Sequence, residues 1–486
     1  MVNLKRIGLF AGLIAFGLIY FFADFGEGFE NAKLMAAIAA WVAIWWITEP
    51  VPLAVTSLLP LILFPVLGLL SAKDTSQAYI NSTIFLFMGG FIIALAMEKW
   101  NLHKRIALYV ISLFGSTPSK IILGFMTATG FISMWISNTA TAIMVLPIGL
   151  AILYKLEDQF GAESIKKFAV ALMLGIAYSS SIGGIATLIG TPPNLVLKRI
   201  YSISFPDKPE ILFGEWVILV FPLAAVLLFL AWIILTKLIF KPGHFEIDKS
   251  LIKNERKLLG KMSFEEKAVS IISILTSVFW IFRADLDVGV IVIPGFANLL
   301  PFPELIDDST IAIGMSILLF LIPVKTKGHE DKKILTVKIF RKIPWEIILL
   351  FGGGFALAEG FVSSGLSNLI GSMFLGLKGM NIILLIFIVC LTITFLTELT
   401  SNTATAQIIL PILASIAIQF EIHPLLLMIP ATISASMAFM MPVATPPNAI
   451  VFGSQRINIL NMAKAGLILN LFFAVLITIY FYFHLI

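Results

Sequence analysis

The sequence predicts an all-α polytopic membrane protein, with about 11 transmembrane helices and two re-entrant hairpins in two inverted repeats. Three observations lead there. The 486 residues are 59% hydrophobic and only 13% charged, and apolar runs long enough to cross a hydrocarbon core of about 30 Å follow one another. Short polar strings interrupt those runs. The same strings return in the same order in the second half.

The first apolar run, Ile7 to Phe22, follows Lys5 and Arg6. No small-x-small cleavage site comes after it, only ADFGEGFE, so it reads as a spanning helix with a cytoplasmic N-terminus rather than a signal peptide. Residues 1–82 form the N-terminal group of helices. A duplicated unit then begins. "FMGGF" at Phe87–Phe91 matches "FGGGF" at Phe351–Phe355, and "ISNTATAIMVLPI" from Ile136 matches "TSNTATAQIILPI" from Thr400. Between Ser137–Ile152 and Ser401–Ile416, 10 of 16 positions are identical. "GTPPNLV" from Gly190 and "ATPPNAIV" from Ala444 complete the set. The first repeat is placed at 83–236 and the second at 344–486.

Between them, 237–343 holds two basic loops and linking helices. Lys237, Lys241, Lys249, Lys253, Arg256, Lys257, Lys261 and Lys267 mark one loop; Lys325, Lys327, Lys332, Lys333, Lys338, Arg341 and Lys342 mark the other. The positive-inside rule makes both cytoplasmic. Two apolar runs near 268–282 and 310–323 enclose an acidic loop (Asp285, Asp287, Glu304, Asp307, Asp308), as two crossings require. The first SNT hairpin, Ser119–Tyr154, is then entered from the cytoplasm, and its counterpart near Gly379–Phe420 opens outward. Inverted repeats with interrupted helices are the architecture of secondary transporters. The formal charge of +5 belongs to these topogenic loops and does not imply a nucleic-acid partner.

A polar, non-helical tip survives in hydrocarbon only where it lines a cavity or is buried in protein. Ser, Asn and Thr are N-cap residues, so each SNT string suggests one half-helix ending and another beginning. The new helix presents unpaired N–H groups to a carboxylate, while the old one ends in carbonyls suited to a dehydrated cation. In the TPPN turns the prolines cannot donate, which leaves upstream carbonyls unpaired, and Thr191 and Asn194 add polar side chains. An isolated Ser or Thr in a membrane helix commonly serves interhelical hydrogen bonding; a tip and a broken helix that each occur twice point to a site. Neither tip nor turn contains Lys, Arg or His. Oxygen donors without a carboxylate suit a weakly held monovalent ion such as Na⁺.

At these motifs, and in "WITEPVPLAVTSLLP" from Trp46, the chain resembles the divalent anion/sodium symporter family, the INDY-type di- and tricarboxylate transporters. The resemblance covers nearly the whole chain. It implies a homodimer in the cell (inner) membrane, with a scaffold domain, residues 1–82 included, and a transport domain that slides as an elevator. It implies sodium-coupled symport of C4-type dicarboxylates. The alternative on the same fold is a sodium-independent dicarboxylate/2-oxoglutarate exchanger or a citrate carrier. Carried over by motif, one sodium site falls on Ser133, Ser137, Asn138 and Gly190, and the other on Thr397, Thr400, Asn402 and Ala444. The dicarboxylate falls on Asn138, Thr139, Asn402 and Thr403, with Thr191, Pro192, Thr445 and Pro446 lining the turns.

Other residues read more plainly. An intramembrane protease needs a Ser/His or paired-Asp constellation in the spans, and none is present, so the chain is not read as an enzyme. Cys390 lies alone in an apolar run, and the five His show no metal spacing. Glu398, beside the second tip, is an intramembrane carboxylate that could couple ions or brace the hairpin. Glu49 reads as structural. The Gly352–Gly354 run near Glu359 reads as close helix packing, and the Trp and Phe residues as mostly lipid-facing or interfacial. Amphipathic joining segments are expected at Asn101–Leu113 and Asp331–Arg341.

Overall fold

The computed structural model describes residues 2–243, 245, 250–289, 291–326 and 331–485. Lys249 and Lys327 of the two basic loops lie outside the described residues. Nine helices among the described residues are long and apolar enough to cross a membrane, and four shorter apolar ones accompany them.

The N-terminal helices Val2–Phe22 and Glu30–Thr48 pack together. Gly12 permits this approach, because a side chain there would meet the rings of Trp41 and Trp45. Glu49 closes the second helix with φ of 46°, and the prolines that follow prevent its continuation.

Seven α-helices then occur twice in the same order. The first series is Ser82–Lys99, Leu102–Ser112, Pro118–Ser133, Asn138–Phe160, Ala162–Gly184, Pro192–Ser204 and Phe213–Ile233. The second is Trp345–Ser363, Leu366–Met373, Ile382–Thr397, Asn402–Phe420, Leu425–Ser434, Pro446–Phe452 and Ile459–Leu485. The SNT strings fall at the breaks within the two hairpins, and the TPPN strings start the second halves of two interrupted helices. Each of those second halves crosses to the other repeat: Pro192–Ser204 packs on Asn402–Phe420, and Pro446–Phe452 packs on Asn138–Phe160. The two breaks therefore belong to one packed body.

Glycine stripes set the close approaches. A Cβ on Gly89 would overlap Ala312 of the linking helix Asp308–Leu321, while Gly352, Gly353 and Gly354 face Tyr79, Ser57 and Gln407. Glu359 pairs with Arg199 at 3.1 Å, tying Trp345–Ser363 to Pro192–Ser204.

The fold is all-α apart from one short antiparallel pair, Leu286–Asp287 with Val292–Ile293, in the acidic loop. One expectation is corrected. The amphipathic segment at Asn101–Leu113 forms a helix, Leu102–Ser112, but Asp331–Arg341 does not; only Val337–Lys342 is a 3-10 turn. The stretch before it is held by Lys99, whose Nζ donates to Asp331 Oδ2 at 2.7 Å and to Ile334 O at 2.9 Å. Trp46, Trp216, Phe125, Phe168, Phe351, Phe355, Phe439 and Phe473 are fully buried, where their area stabilises helix packing.

Candidate functional site

In the first half, the helix Pro118–Ser133 ends at the tip and Ser137 caps the next helix, accepting from Ala140 N at 3.3 Å. The buried Ser133 Oγ lies 2.6 Å from Asn138 Oδ1 and 2.7 Å from Ser180 O. A hydroxyl has one proton and can satisfy only one of these acceptors. Gly184 and Gly190 close the cluster. A side chain on Gly184 would strike Asn138 Oδ1; one on Gly190 would strike Gly184 O and come within 3.0 Å of Ser133 O.

The second half repeats the arrangement. Thr397 Oγ1 lies 2.7 Å from Asn402 Oδ1 and 2.9 Å from Ala435 O. Rotating either Asn amide by half a turn would put an N–H against the hydroxyl and satisfy the group without an ion. In both halves the oxygen is placed toward it, so a cluster of hydroxyl, amide and backbone oxygens stands at each tip.

Several motif residues hold the breaks together instead of facing these clusters. The TPPN asparagines turn inward. Asn194 Nδ2 donates to Thr187 O at 2.7 Å, and Asn448 Nδ2 to Ala438 O and Met441 O, both at 3.1 Å. The carbonyls expected to be free are thus partly strapped by the motif's own amide. Thr400 Oγ1 lies 2.6 Å from Thr405 Oγ1 and 3.0 Å from Leu396 O, so its hydroxyl shapes the hairpin. Thr191 and Thr445 are N-cap residues, and Pro192 and Pro446 start their helices; Thr445 Oγ1 accepts from Asn448 N at 3.3 Å. Thr139 is half-buried and Thr403 buried, each in the first turn after its tip. Ala444 sits immediately before the second turn, its N–H donating to Met441 O at 3.2 Å.

Glu398 is resolved by its partners. Its carboxylate accepts from Phe439 N (2.7 Å), Met440 N (2.9 Å), Met441 N (3.0 Å) and Asn470 Nδ2 (2.7 Å). Among the described residues its hydrogen-bond partners are four donors, a set that suits a carboxylate acceptor. Three of them are consecutive amides of the broken helix, so the residue braces that break against the tip. The first half does the same work differently: Thr187 Oγ1 donates to Met134 O at 2.5 Å and Trp216 Nε1 to Ile185 O at 2.9 Å.

Sequence reasoning missed Ser180 and Ala435, which contribute backbone oxygens and carry no signature. It also missed Thr187, Trp216 and Asn470, whose roles arise from long-range packing. An ion cluster outside the tips, buried at Arg283 and Asp308 and reaching exposed Glu210, was missed as well. Arg283 pairs with Asp308 at 2.7 Å and Glu210 at 2.6 Å, and Lys198 with Asp308 at 3.0 Å. Burial would raise the Glu210 carboxyl, but the Lys198 and Arg283 charges prevail and hold it below the usual range.

Comparison with known proteins decides the family. Residues 5–485 match the model for the sodium:sulfate symporter transmembrane region. The chain belongs to that family. It is 44% identical over 489 residues to a sodium-dependent dicarboxylate transporter, SdcS, of Staphylococcus saprophyticus, covering 99% of this chain and 91% of that protein. The SdcS protein of Staphylococcus aureus strain NCTC 8325 is 44% identical over 485 residues, with the same coverage. In fold the chain is similar to the YdaH transporter of Alcanivorax borkumensis, with a TM-score of 0.56 over 88% of this chain and 89% of that one, at 14% identity. This member of the symporter family is a multi-pass cell-membrane transporter, not an enzyme.

Proposed function

We propose that the chain performs sodium-coupled symport of C4-type dicarboxylates, the succinate, malate and fumarate class. The observation that carries this reading is the matched pair of oxygen clusters, each with more acceptors than protons. A dehydrated Na⁺ relieves that surplus without a carboxylate ligand. Ser133, Ser137, Asn138 and Gly190 would hold one ion, and Thr397, Thr400, Asn402 and Ala444 the other. Because the Ser137 and Thr400 hydroxyls are engaged, these two would contribute backbone carbonyls. The dicarboxylate would meet Asn138, Thr139, Asn402 and Thr403 at the starts of the second hairpin helices, where partial positive charge collects. Thr191, Pro192, Thr445 and Pro446 would shape the walls. The names of the staphylococcal relatives support the same ion and substrate class.

The two repeats are proposed to be inverted across the membrane. The hairpins and broken helices would move together as the mobile body of an elevator, against a scaffold that forms a homodimer. Uptake of radiolabelled succinate into proteoliposomes tests the function. An inward Na⁺ gradient should drive accumulation, and choline or K⁺ in its place should abolish it. Equal uptake in choline would refute symport and favour exchange.

A further inference from the structure

We infer that the basic face of the protein carries a binding site for the phosphodiester headgroup of an anionic phospholipid. A cavity of about 520 Å³ opens between the amphipathic helix Leu102–Ser112, the loop after it, and the short helix Ser250–Leu258. Its charged lining is Arg105, Lys253, Arg256 and Lys257, and no carboxylate stands among the described lining residues. Arg105 is spent as a post. Its guanidinium grips Glu266 through two bonds of 3.0 Å and also donates to Gly260 O and Leu259 O.

The other three cations are spaced i, i+3 and i+4, so they share one face of Ser250–Leu258. Arg256 is already oriented: Nη1 donates to Ser112 Oγ at 3.0 Å, and the guanidinium lies over the Tyr109 ring at 5.4 Å. Three cations converging on a cavity without an acid call for a compact anion, and phosphate oxygens match them.

The rim decides between a soluble phosphate and a lipid. Leu113 is 64% exposed, Tyr109 52% and Leu258 80%. All three belong to the helices that frame the cavity or adjoin them. Exposed apolar residues beside a cationic pocket, on a protein that spans the bilayer, place acyl chains and headgroup at their natural depths. A second basic cavity of about 480 Å³, with Lys120 and Lys237 in its lining, lies across the turn that leads into the first hairpin. The headgroup therefore sits at the foot of a functional element.

The test compares lipid retention by the purified protein in native mass spectrometry. Phosphatidylglycerol should be retained over phosphatidylcholine in the wild type. In the triple variant Lys253→Gln, Arg256→Gln, Lys257→Gln, that preference should fall by roughly ten- to a hundredfold. The control triple Lys155→Gln, Lys166→Gln, Lys167→Gln removes the same charge from exposed positions elsewhere and should keep the preference. Equal retention of both lipids by the wild type, or an equal loss in the two triples, would overturn the site. Displacement of the lipid by millimolar glycerol phosphate would overturn the lipid assignment in favour of a soluble anion. Size-exclusion profiles matching the wild type confirm that the variants are folded, since every altered side chain is exposed.

Discussion

Glu398→Gln isolates the brace at the second break. The substitution keeps the shape and one carbonyl oxygen, which can still accept from Phe439 N, Met440 N and Asn470 Nδ2. The other oxygen becomes an NH₂ facing the Met441 N–H, a second donor only 3.0 Å away. One charge-assisted bond is lost, at about 1.5–3 kcal/mol, and a buried donor is left opposed, at about 1–3 kcal/mol. Partial relaxation makes about 3 kcal/mol a reasonable sum, or roughly a hundredfold in the equilibrium between ordered and loosened break. The proposed second sodium site lies beside Ala435 O, only four positions before Phe439, so Na⁺ binding there would have to restore the order that the variant loses. The Na⁺ needed for half-maximal succinate binding should rise steeply, toward that hundredfold limit, while the protein remains folded. Succinate binding across a Na⁺ series, at constant ionic strength, measures the shift. Hydrogen exchange at Phe439–Met441 locates it. A Gln variant with unchanged exchange there but an altered number of ions carried per substrate would refute bracing and make Glu398 an ion-coupling group.

Asn138→Ala and Asn402→Ala should each nearly abolish transport without unfolding the protein, because each amide is proposed to serve both cation and anion; wild-type uptake by either would remove it from the site. Ser133→Ala and Thr397→Ala should each raise the Na⁺ requirement for succinate binding by about fivefold, the worth of one hydrogen-bond-scale contact. By reciprocity, succinate should tighten Na⁺ binding by the factor with which Na⁺ tightens succinate. Gly190→Ala, which copies the second half, should impair Na⁺ binding strongly, since its methyl meets the Gly184 and Ser133 carbonyls; full activity would show that the first cluster can expand. A cysteine at Lys253, in a chain lacking Cys390, should resist impermeant reagents added outside intact cells. Labelling there would contradict the proposed inversion.

How much could be read from sequence depended on how local the chemistry was. The hairpin breaks were legible because SNT combines capping and hydrogen-bonding capacity within three residues, and because the word occurs twice. The straps were not. Ser180 and Ala435 act through carbonyls that any residue possesses, and Trp216 reaches Ile185 from a different helix. Glu398 was visible as an anomaly, yet only the folded break shows which donors it faces. Which of the aromatics are buried was not legible, because helices that are apolar all round give no periodic signal to separate lipid from core. Asp331–Arg341 is not helical throughout, because long-range contacts from Lys99 hold Asp331 and the Ile334 carbonyl in place.

The duplicated word does not make equal sites. In the first half, glycine at 184 and 190 lets the break close on the Asn138 amide and the Ser133 carbonyl with no room for a methyl group. The matching positions in the second half are Ala438 and Ala444. The second break, with a methyl at both positions, cannot approach its tip in the same way. A carboxylate brace, absent from the first half, takes up the difference. The electrostatics follow. A dianion held without Lys or Arg faces a large desolvation penalty, and two helix ends offer only about half a positive charge each. Bound cations must supply the remainder, but Glu398 adds a negative charge on one side alone. On the proposed sites, sodium at either tip is attracted by the substrate dianion, and sodium at the second tip is also favoured by that carboxylate, while sodium at the first tip has no such partner among the described residues. Duplication gave both halves the same tip, and on that reading the brace makes them unequal in how strongly each would hold its ion.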